Sequence, residues 1–475
     1  MKNKLSVFAV LLVGVSMAQT AWGQWSSSAW KNLPLANRAN NDQVQPMIKP
    51  LPGNQWYASW FDLNAKDAAP LGYDAYLQRL DASGNKQWSN NGTLIADLSN
   101  TSTEDYGLDA DAEGNAVLAF LDTREGNNQQ VTAVKINKSG IPLWGPYGVQ
   151  LTDDSQSHAA PKITTTSDGG VVVAWTSIGP TASSVRLQKL DKNGHLLWPK
   201  PLVFYQSGYL DLLADLHGAD NGSVIVSWVN EAGFRGDKQL RANKVSANGK
   251  KLWGAKDVAI FDQGSLQFGN FPRFLLDGRG GAIFGWYTAT PILQCFAQHI
   301  RANGTEAFPH NGAIASTDTA NVRVEPSISY RAATDETFLF WTEEDSFQIV
   351  NGVYGQKFDS KGSSKWGPTG LVLVPLGPDA QTFVENVQSG NGVLVLWVDA
   401  SSYLSNTILG SKLDDAGNMV CAPFPVSAAP AAKFGLAATT APSGMAAVAW
   451  AEDPGTGNHK IYIQNINKDC SLGLE

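Results

Sequence analysis

The stretch KLDKNGHLLW (residues 189–198) decides the fold, because close variants of it recur along the chain. The phrase reads Leu-Asp-x-x-Gly-x-x-x-Trp or close to it, and the aromatic position returns every 54 to 58 residues. Seven copies with one internal spacing indicate a tandem array of a single structural unit. The seven pairs are Gly84 with Trp88, Gly140 with Trp144, Gly194 with Trp198, Gly249 with Trp253, Gly304 with Phe308, Gly362 with Trp366 and Gly417 with Cys421.

A second phrase runs in phase with the first and consists of a small turn, four or five apolar residues and an aromatic residue. It occurs eight times, once more than the first phrase. Its aromatic residues are Trp60, Phe120, Trp175, Trp228, Trp286, Trp341, Trp397 and Trp450.

Each repeat is predicted to form four short antiparallel strands. In residues 161–204 the strands are 161–166, 171–175, 185–190 and 196–204, and tight turns at 167–170 and 191–194 join two pairs of them. Gly and Asn supply the positive φ that such turns need, and β-branched and aromatic residues fill the strands. Four antiparallel strands in a unit of about 55 residues are typical of a β-propeller blade. The predicted fold class is therefore all-β, a β-propeller.

The two ends of the chain predict the number of blades. The last repeat stops after its third strand, near residues 466–470, and residues 29–36 match a fourth strand, with Trp30 in the position of Trp144. We therefore expect the N-terminal strand to join the last blade, which closes the ring and removes open sheet edges. Eight copies of the second phrase then predict eight blades, in one domain that spans residues 24–475.

The repeated phrase resembles the Trp-docking motif of quinoprotein-type eight-bladed propellers, Ala-x-Asp-x-x-Thr-Gly-x-x-x-Trp. Residues 79–88 and 189–198 carry the resemblance, which covers nearly the whole chain and implies an architecture in which each motif locks neighbouring blades together. The Thr before the Gly is missing from every copy, so no quinone cofactor is inferred. The chain is most similar in pattern to secreted bacterial repeat propellers. We expect each Trp to dock between blades, with its indole N–H reaching a backbone carbonyl.

The N-terminus is predicted to be a signal peptide, residues 1–23. Lys2 and Lys4 precede an apolar run at 5–15, and Ala21-Trp22-Gly23 is a small-x-small cleavage site. An uncleaved anchor is the alternative, but the run is shorter than the roughly 20 residues that a membrane span needs. We expect an exported protein, periplasmic or extracellular, that does not span the membrane and is a monomer.

The charge of the mature chain argues against nucleic acid as a partner. After cleavage, 33 Lys and Arg residues face 43 Asp and Glu residues, and no basic cluster occurs. The three cysteines are too few for a disulfide framework in a chain of this length. A bridge between Cys421 and Cys470 and free thiols both remain open.

The two faces of the predicted disc differ, and this difference locates the expected binding site. First-to-second and third-to-fourth connections share one face and are all tight turns; we call this the tight-turn face. The other connections are long and irregular, as at 63–74, 230–239, 343–351 and 399–406, and form the long-loop face. Long variable loops on a rigid scaffold usually carry binding, so we predict the ligand site there.

A ring of polar residues follows the second-strand aromatics by two positions and is predicted to line the inner rim of the long-loop face. Its members are Asp62, Asp122, Ser177, Asn230, Thr288, Glu343, Asp399 and Glu452, five of them acidic. They are candidate ligands for a cation, a basic group or sugar hydroxyls. The alternative is that each pairs with a neighbour, as Asp122 would with Arg124. Exposed loop aromatics suited to stacking are Tyr73, Tyr205, Tyr209, Phe234, Phe268, Phe271 and Tyr403.

The main functional prediction is a non-enzymatic binding or scaffold module for carbohydrate or for a protein or peptide, because the repeat explains the notable residues without a leftover catalytic set. The first alternative is a polysaccharide hydrolase or lyase with Asp62, Glu343 or Asp399 as acid and base. The second is an envelope assembly partner.

No cofactor is predicted, although a calcium motif is nearly present. Asp109, Asp111 and Glu113 match the first ligands of a Ca²⁺ loop, but the twelfth position is Phe120. The six histidines show no zinc spacing.

Overall fold

The computed structural model describes residues 24–38, 41–63, 72–100, 105–124, 129–180, 182–233, 235–402 and 404–474. The predicted signal peptide lies outside these residues. The described chain is all-β, as predicted, with 33 strands and a single short 3₁₀ turn at Asp220–Gly222.

The strands are short and are distributed evenly along the chain. In the first half they are β1 (Leu33–Ala36), β2 (Asp42–Leu51), β3 (Gln55–Leu63), β4 (Tyr73–Leu80), β5 (Thr93–Ala96), β6 (Gly107–Ala110), β7 (Ala116–Asp122), β8 (Gln130–Ile136), β9 (Val149–Gln150), β10 (Ser157–Thr165), β11 (Val171–Ile178), β12 (Ser183–Leu190), β13 (Leu202–Phe204), β14 (Leu210–Gly218), β15 (Val224–Glu231), β16 (Lys238–Val245) and β17 (Val258–Phe261). In the second half they are β18 (Ser265–Leu266), β19 (Phe274–Leu276), β20 (Ala282–Thr290), β21 (Gln294–Ile300), β22 (Ala313–Ile314), β23 (Asn321–Arg331), β24 (Glu336–Asp345), β25 (Asn351–Phe358), β26 (Leu371–Gly377), β27 (Ala380–Ser389), β28 (Gly392–Ser402), β29 (Ser405–Leu413), β30 (Met419–Ser427), β31 (Ala432–Thr440), β32 (Ala446–Asp453) and β33 (Lys460–Ile466).

Consecutive strands pair antiparallel in runs of four, which is the pattern of β-propeller blades. We number these runs as units in chain order: unit 1 is β2–β5, unit 2 β6–β9, unit 3 β10–β13, unit 4 β14–β17, unit 5 β18–β22, unit 6 β23–β26, unit 7 β27–β30, and unit 8 β31–β33 with β1. In unit 5, β18 and β19 both pair with β20, so its first strand is interrupted.

The described residues form seven sheets, where the sequence predicts eight blades. The difference arises in one eight-stranded sheet that contains units 3 and 4. One parallel pair, Ser183 with Leu210, joins the two units. The N-terminal strand β1 pairs antiparallel with β33, as the sequence predicts.

The repeated Gly-to-Trp phrase forms the hairpin between the third and fourth strands and links each unit to the next. Phe308 has no indole, and the Trp366 indole N–H has no hydrogen-bond partner among the described residues, contrary to the expectation for each Trp. At the five other Trp positions the indole N–H donates to a backbone carbonyl in the following unit's turn. These bonds join Trp25 to Ala82 (2.9 Å), Trp88 to Lys138 (3.1 Å), Trp144 to Lys192 (3.1 Å), Trp198 to Ala247 (3.0 Å) and Trp253 to Ala302 (3.0 Å).

Trp25, not Trp30, occupies the docking position at the N-terminus. Trp30 is 65% exposed, whereas Trp25 is 4% exposed and packs on Gly84. The expected match of Trp30 to Trp144 is therefore wrong. The stretch from Trp25 to the start of β1 is three residues longer than the stretch from Trp144 to the start of β9. The docking side chain therefore lies further upstream in the N-terminal segment.

Gly84 is expected to tolerate no side chain, because a Cβ there would lie 2.8 Å from both the ring and the backbone nitrogen of Trp25. Gly145 has nearly the same φ (+83° against +81°) but open space around it, so it is the matched control. Gly145→Ala should cost about 1–2 kcal/mol from backbone strain, and Gly84→Ala about 1–3 kcal/mol more from crowding. Urea unfolding of both variants measures the difference, and equal losses would contradict this packing role.

The hydrophobic core lies between adjacent units. All eight second-strand aromatics are at most 2% exposed. The cluster that contains Trp56 and Trp60 of unit 1 also contains Ala449 and Ile461 of unit 8, so the first and last units pack together.

Cys421 and Cys470 form a disulfide, and Cys295 is a buried free thiol. Cys421 stands where other repeats carry the docking Trp, and Cys470 lies in the turn of unit 8. The bridge therefore joins units 7 and 8 at the position where an indole links other neighbouring units.

An ion pair also joins units 8 and 1, since His459 Nδ1 lies 2.7 Å from Asp42 Oδ1. The hydrogen bond with Asp42 raises the pKa of His459 above its ordinary value. The folded protein thus holds this proton more tightly than the unfolded chain. Its contribution is complete below the unfolded pKa of about 6.5 and is lost as the pH rises through the folded pKa.

We expect His459→Gln to destabilise the protein by up to about 1 kcal/mol at pH 5–6 and by less at pH 8–9. Urea unfolding across this range measures the pH dependence. A difference that grows with pH would contradict the assigned interaction.

Candidate active site

The first strands of most units carry a β-bulge at the same position. The register skips 45–46 in unit 1, 160–161 in unit 3, 214 in unit 4, 325–326 in unit 6, 383–384 in unit 7 and 435–436 in unit 8. Non-glycine residues with positive φ occupy four of these bulges, namely Gln45 (53°), Ala160 (49°), Glu325 (52°) and Phe383 (52°). Such conformations cost about 1–3 kcal/mol each and cluster at functional sites.

Unit 5 departs from this pattern, because residues 267–273 leave the sheet between β18 and β19. The Asn270 side chain anchors the segment by donating to the Tyr287 carbonyl (3.3 Å). The segment places Phe271 and Arg273 on the wall of a cavity.

This inner cavity has a volume of about 670 Å³ and is bounded by the first strands of units 5 to 8. Its wall includes residues of the segments 269–275, 325–330, 383–388 and 435–440. A second cavity shares Gln388 and Thr440 with it and reaches the tight turns at 390–391 and 442–444. The inner cavity therefore borders a second space at the tight-turn face.

Two glutamates from adjacent units face the inner cavity, and each contacts the other's strand. Glu385 of β27 accepts a hydrogen bond from Ser327 Oγ of β23 (3.0 Å). Glu325 of β23 accepts one from the backbone N–H of Phe383 in β27. Ser327 Oγ in turn accepts from the Asn386 backbone N–H (2.9 Å). These reciprocal contacts hold the two carboxyl groups on neighbouring strands of one wall.

Both carboxyl groups have a raised pKa, and loss of solvation is the main cause for each. For Glu385, the charge of Arg273 and the Ser327 hydrogen bond oppose the rise. The Glu325 side chain is exposed to solvent in the cavity. The surrounding walls still remove part of its solvation, which raises its pKa. The charge of Glu344 adds to the rise, and only the Phe383 backbone bond opposes it. Glu385 therefore has two contacts that favour its anion, and Glu325 has one.

The predicted rim residues do not line the inner cavity. Most belong to cross-strand pairs between the first and second strands, as the pairing alternative predicts. The register pairs are Gln43 with Asp62, His158 with Ser177, Asp211 with Asn230, Arg323 with Glu343, Gln381 with Asp399, and Lys433 with Glu452. The structure therefore distributes the acidic members over separate units and does not bring them together.

Each predicted rim carboxylate has a local partner. Asp122 makes a two-pronged ion pair with Arg124 (2.9 and 2.6 Å). The other donors to rim carboxylates are Asn41 to Asp62 (2.9 Å), Arg323 to Glu343 (2.9 Å), Gln381 to Asp399 (3.0 Å) and the Trp450 indole to Glu452 (3.0 Å). The rim residue Asn230 donates its amide N–H to Asp211 (2.6 Å). Burial raises the pKa of Asp62, Glu343 and Glu452.

The predicted loop aromatics are dispersed. Tyr205 is 56% and Phe268 81% exposed, and neither lines the inner cavity. Phe234 and Tyr403 lie outside the described residues. Phe271 is the member of that set which reaches the cavity among the residues described.

The three calcium candidates point to different partners. Asp109 pairs with Lys49, Asp111 pairs with Lys135 (2.8 Å), and Glu113 accepts from Asn115 (3.3 Å). Within the described part of the chain, no group of three or more His, Cys, Asp or Glu side chains is placed to hold a metal ion. In the same residues, no helix is long and apolar enough to cross a membrane.

Sequence reasoning did not identify Glu325 and Glu385, because it searched the ends of the second strands. An available signal was the in-phase X-Pro step of the first strands, at Pro46, Pro161 and Pro326. Of the three bulges that it marks, the one at Pro326 lies beside the cavity and contains Glu325, whereas the bulge before Glu385 carries no Pro.

No protein-family model and no curated protein matches the chain. Solved structures similar to it include a puromycin hydrolase (13% identity, 91% of this chain and 61% of that chain, TM-score 0.45). They also include the polysaccharide lyase Uly1 (10% identity, 89% of this chain and 89% of that chain, TM-score 0.45). A third is an α-L-arabinanase of Penicillium chrysogenum (8% identity, 78% of this chain and 94% of that chain, TM-score 0.37).

Several of the similar structures with a named activity are carbohydrate-acting enzymes. This finding contradicts the prediction of a non-enzymatic binding or scaffold module. At these identities and TM-scores, the activity of this chain has to be inferred from its own side chains.

Proposed function

We propose that this protein is an enzyme that hydrolyses glycosidic bonds in a polysaccharide. The observation that carries the proposal is the pair Glu325 and Glu385, two carboxyl groups of raised pKa on adjacent strands that face one cavity. A pair of carboxyl groups is the usual catalytic equipment of glycoside hydrolases.

We base the role proposed for each carboxyl group on its contacts. Glu325, which has no cation among the contacts that set its pKa, is the general acid and gives its proton to the leaving glycosidic oxygen as the C1–O bond breaks. Glu385, supported by Ser327 and Arg273, is the base that takes a proton from the attacking water. The hydroxide then bonds to C1. The proton on Glu385 returns to solvent and Glu325 takes one proton from solvent, so the enzyme is restored and one water is consumed per bond.

The rest of the cavity suits a sugar chain. Phe271 and Phe383 are 42% and 38% exposed, and present apolar surface beside the carboxyl groups. Apolar walls with a few placed polar groups are typical of small-molecule sites.

We also propose that the eight units are the blades of a closed ring. The single residue pair between units 3 and 4, the pairing of β1 with β33 and the shared core of units 1 and 8 support this arrangement. We propose further that residues 24–475 form one exported domain after cleavage at Gly23. The burial of Trp25, two residues downstream of Gly23, is consistent with that boundary.

The function is tested by incubating the purified 24–475 chain with a panel of neutral and acidic polysaccharides and measuring new reducing ends. We expect at least one substrate, and loss of its turnover in Glu325→Gln/Glu385→Gln. Glu344→Gln is the matched control, because Glu344 interacts with Glu325 but does not line the cavity. No turnover of any polysaccharide, or full turnover by the double variant, would overturn the proposal. An unsaturated product would show that the enzyme cleaves the bond by elimination and not by hydrolysis.

A further inference from the structure

Arg273 is a cation on the wall of the inner cavity, and its charge opposes the rise in the pKa of Glu385. It makes no hydrogen bond and no ion pair with the residues that the structure describes, and it is exposed. Cations on the first strands of units 1 and 3 are paired: Lys49 pairs with Asp109, and Lys162 lies 3.2 Å from Asp105. The Arg273 guanidinium is thus held beside the proposed catalytic pair with its donors available.

A second observation in the same cavity also indicates a ligand. Asn386 is 3% exposed and lines the cavity, yet neither its amide nitrogen nor its amide oxygen has a hydrogen-bond partner among the described residues. A buried polar group without a partner costs about 1–3 kcal/mol. A ligand with hydroxyl groups, which donate and accept, would satisfy both atoms.

The position of Arg273 is fixed by the local chain. Pro272 precedes it, Phe274 follows and is 1% exposed, and the Phe274 backbone N–H donates to Asp215 Oδ2 (3.1 Å). Arg273 therefore sits at the end of the segment that leaves the sheet in unit 5, immediately before β19. A guanidinium is planar and matches a carboxylate with two parallel hydrogen bonds, which a point charge does not.

We infer that the inner cavity binds a saccharide with an anionic substituent, a uronate carboxylate, and that Arg273 is the residue which selects it. The inference rests on the proposed function, since it concerns the substrate of the same cavity. Arg273 holds the carboxylate, and Asn386 bonds to a hydroxyl group of the same chain of sugars.

The test uses the Glu325→Gln/Glu385→Gln protein, which should bind without turnover, and three probes: oligogalacturonate, an oligosaccharide of a neutral galactan and one of a sulfated galactan. Calorimetry should show that oligogalacturonate binds most tightly. Adding Arg273→Met should weaken that binding by about 10- to 100-fold and leave the neutral probe unchanged. Arg273→Lys should recover only part of the loss, and salt should weaken uronate binding only where Arg273 is present.

The outcomes separate the two proposals. If the protein turns over a polysaccharide but oligogalacturonate binds equally well with and without Arg273, the inference is overturned. The proposed function then stands. Tighter binding of the sulfated probe overturns the uronate assignment. Failure of the wild-type protein to act on any polysaccharide overturns the proposed function and the inference with it. Arg273 is exposed, so unchanged thermal unfolding is expected and verifies that its variants are folded.

Discussion

Glu325→Gln is expected to lower turnover by about 10²–10⁴-fold, the contribution of a positioned general acid, and to change the pH profile in one direction. The acid must be protonated, so wild-type activity falls as the pH rises through the pKa of Glu325. The base must be ionised, so activity falls as the pH drops through the pKa of Glu385. Because both pKa values are raised, the optimum should lie above that of two ordinary carboxyl groups. Glu325→Gln removes the alkaline limb, and Glu385→Gln removes the acid limb.

An activated substrate provides the control for this assignment. An aryl glycoside with a good leaving group needs no proton from Glu325, so Glu325→Gln should retain most activity on it, while Glu385→Gln should remain inactive. Rates measured between pH 4 and 9 on both substrates check the prediction. If the alkaline limb persists in Glu325→Gln, or if both variants respond alike to the aryl substrate, the roles of the two residues are assigned wrongly.

The sequence predicted the repeat architecture because each local signal agreed with the others. Gly194 can adopt its φ of +89° at no steric cost, and the indole of Trp144 packs on it. The constant spacing of such Gly and Trp residues along the chain fixes the position of the hairpin. The same logic identified the second-strand aromatics as core. Such features recur in every unit, so several copies support each prediction.

The cavity could not be predicted in the same way, because it depends on where the units differ. Glu325 and Glu385 do not occupy equivalent positions: Glu325 is the first bulge residue of unit 6, whereas Glu385 follows the bulge of unit 7. Their proximity results from the packing of neighbouring strands, which no period in the sequence shows. The interruption of unit 5 at 267–273 also has no counterpart in the repeat.

Reading the acidic rim as a ring was misleading for a physical reason. A residue two positions after a buried Trp lies on the same side of its strand, so it faces the neighbouring unit and is buried with the Trp. Glu343 and Glu452 even accept the indole N–H of Trp341 and Trp450 (2.7 and 3.0 Å). Carboxylates placed in such sites need partners, and the first strand supplies Arg323 to Glu343 and Gln381 to Asp399.

Removing one such partner should have a large effect on stability. Arg323 is fully buried and donates to Glu343 (2.9 Å) and to the carbonyls of Asp318 and Asn321 (2.9 and 3.1 Å). Arg323→Met is expected to reduce the free energy of unfolding by about 3–5 kcal/mol, because it leaves a buried carboxylate without its cation. Arg323→Met/Glu343→Leu should recover part of that loss, because an apolar pair can replace a buried ion pair without a net cost but leaves the buried Trp341 indole N–H without its acceptor.

The pH dependence distinguishes loss of the ion pair from loss of packing. Burial already raises the pKa of Glu343 in the presence of Arg323, and without that cation the folded-state pKa must rise further. A raised carboxyl pKa means that the folded protein holds the proton more tightly than the unfolded chain, so the variant is least destabilised below the unfolded pKa and loses stability as the pH rises. Urea unfolding of the variant and wild type at pH 4, 6 and 8 should therefore show a difference that grows with pH. A constant difference would mean that Arg323 acts through its apolar stem and its carbonyl bonds alone. The ionisation of Glu343 would then not depend on the charge of Arg323.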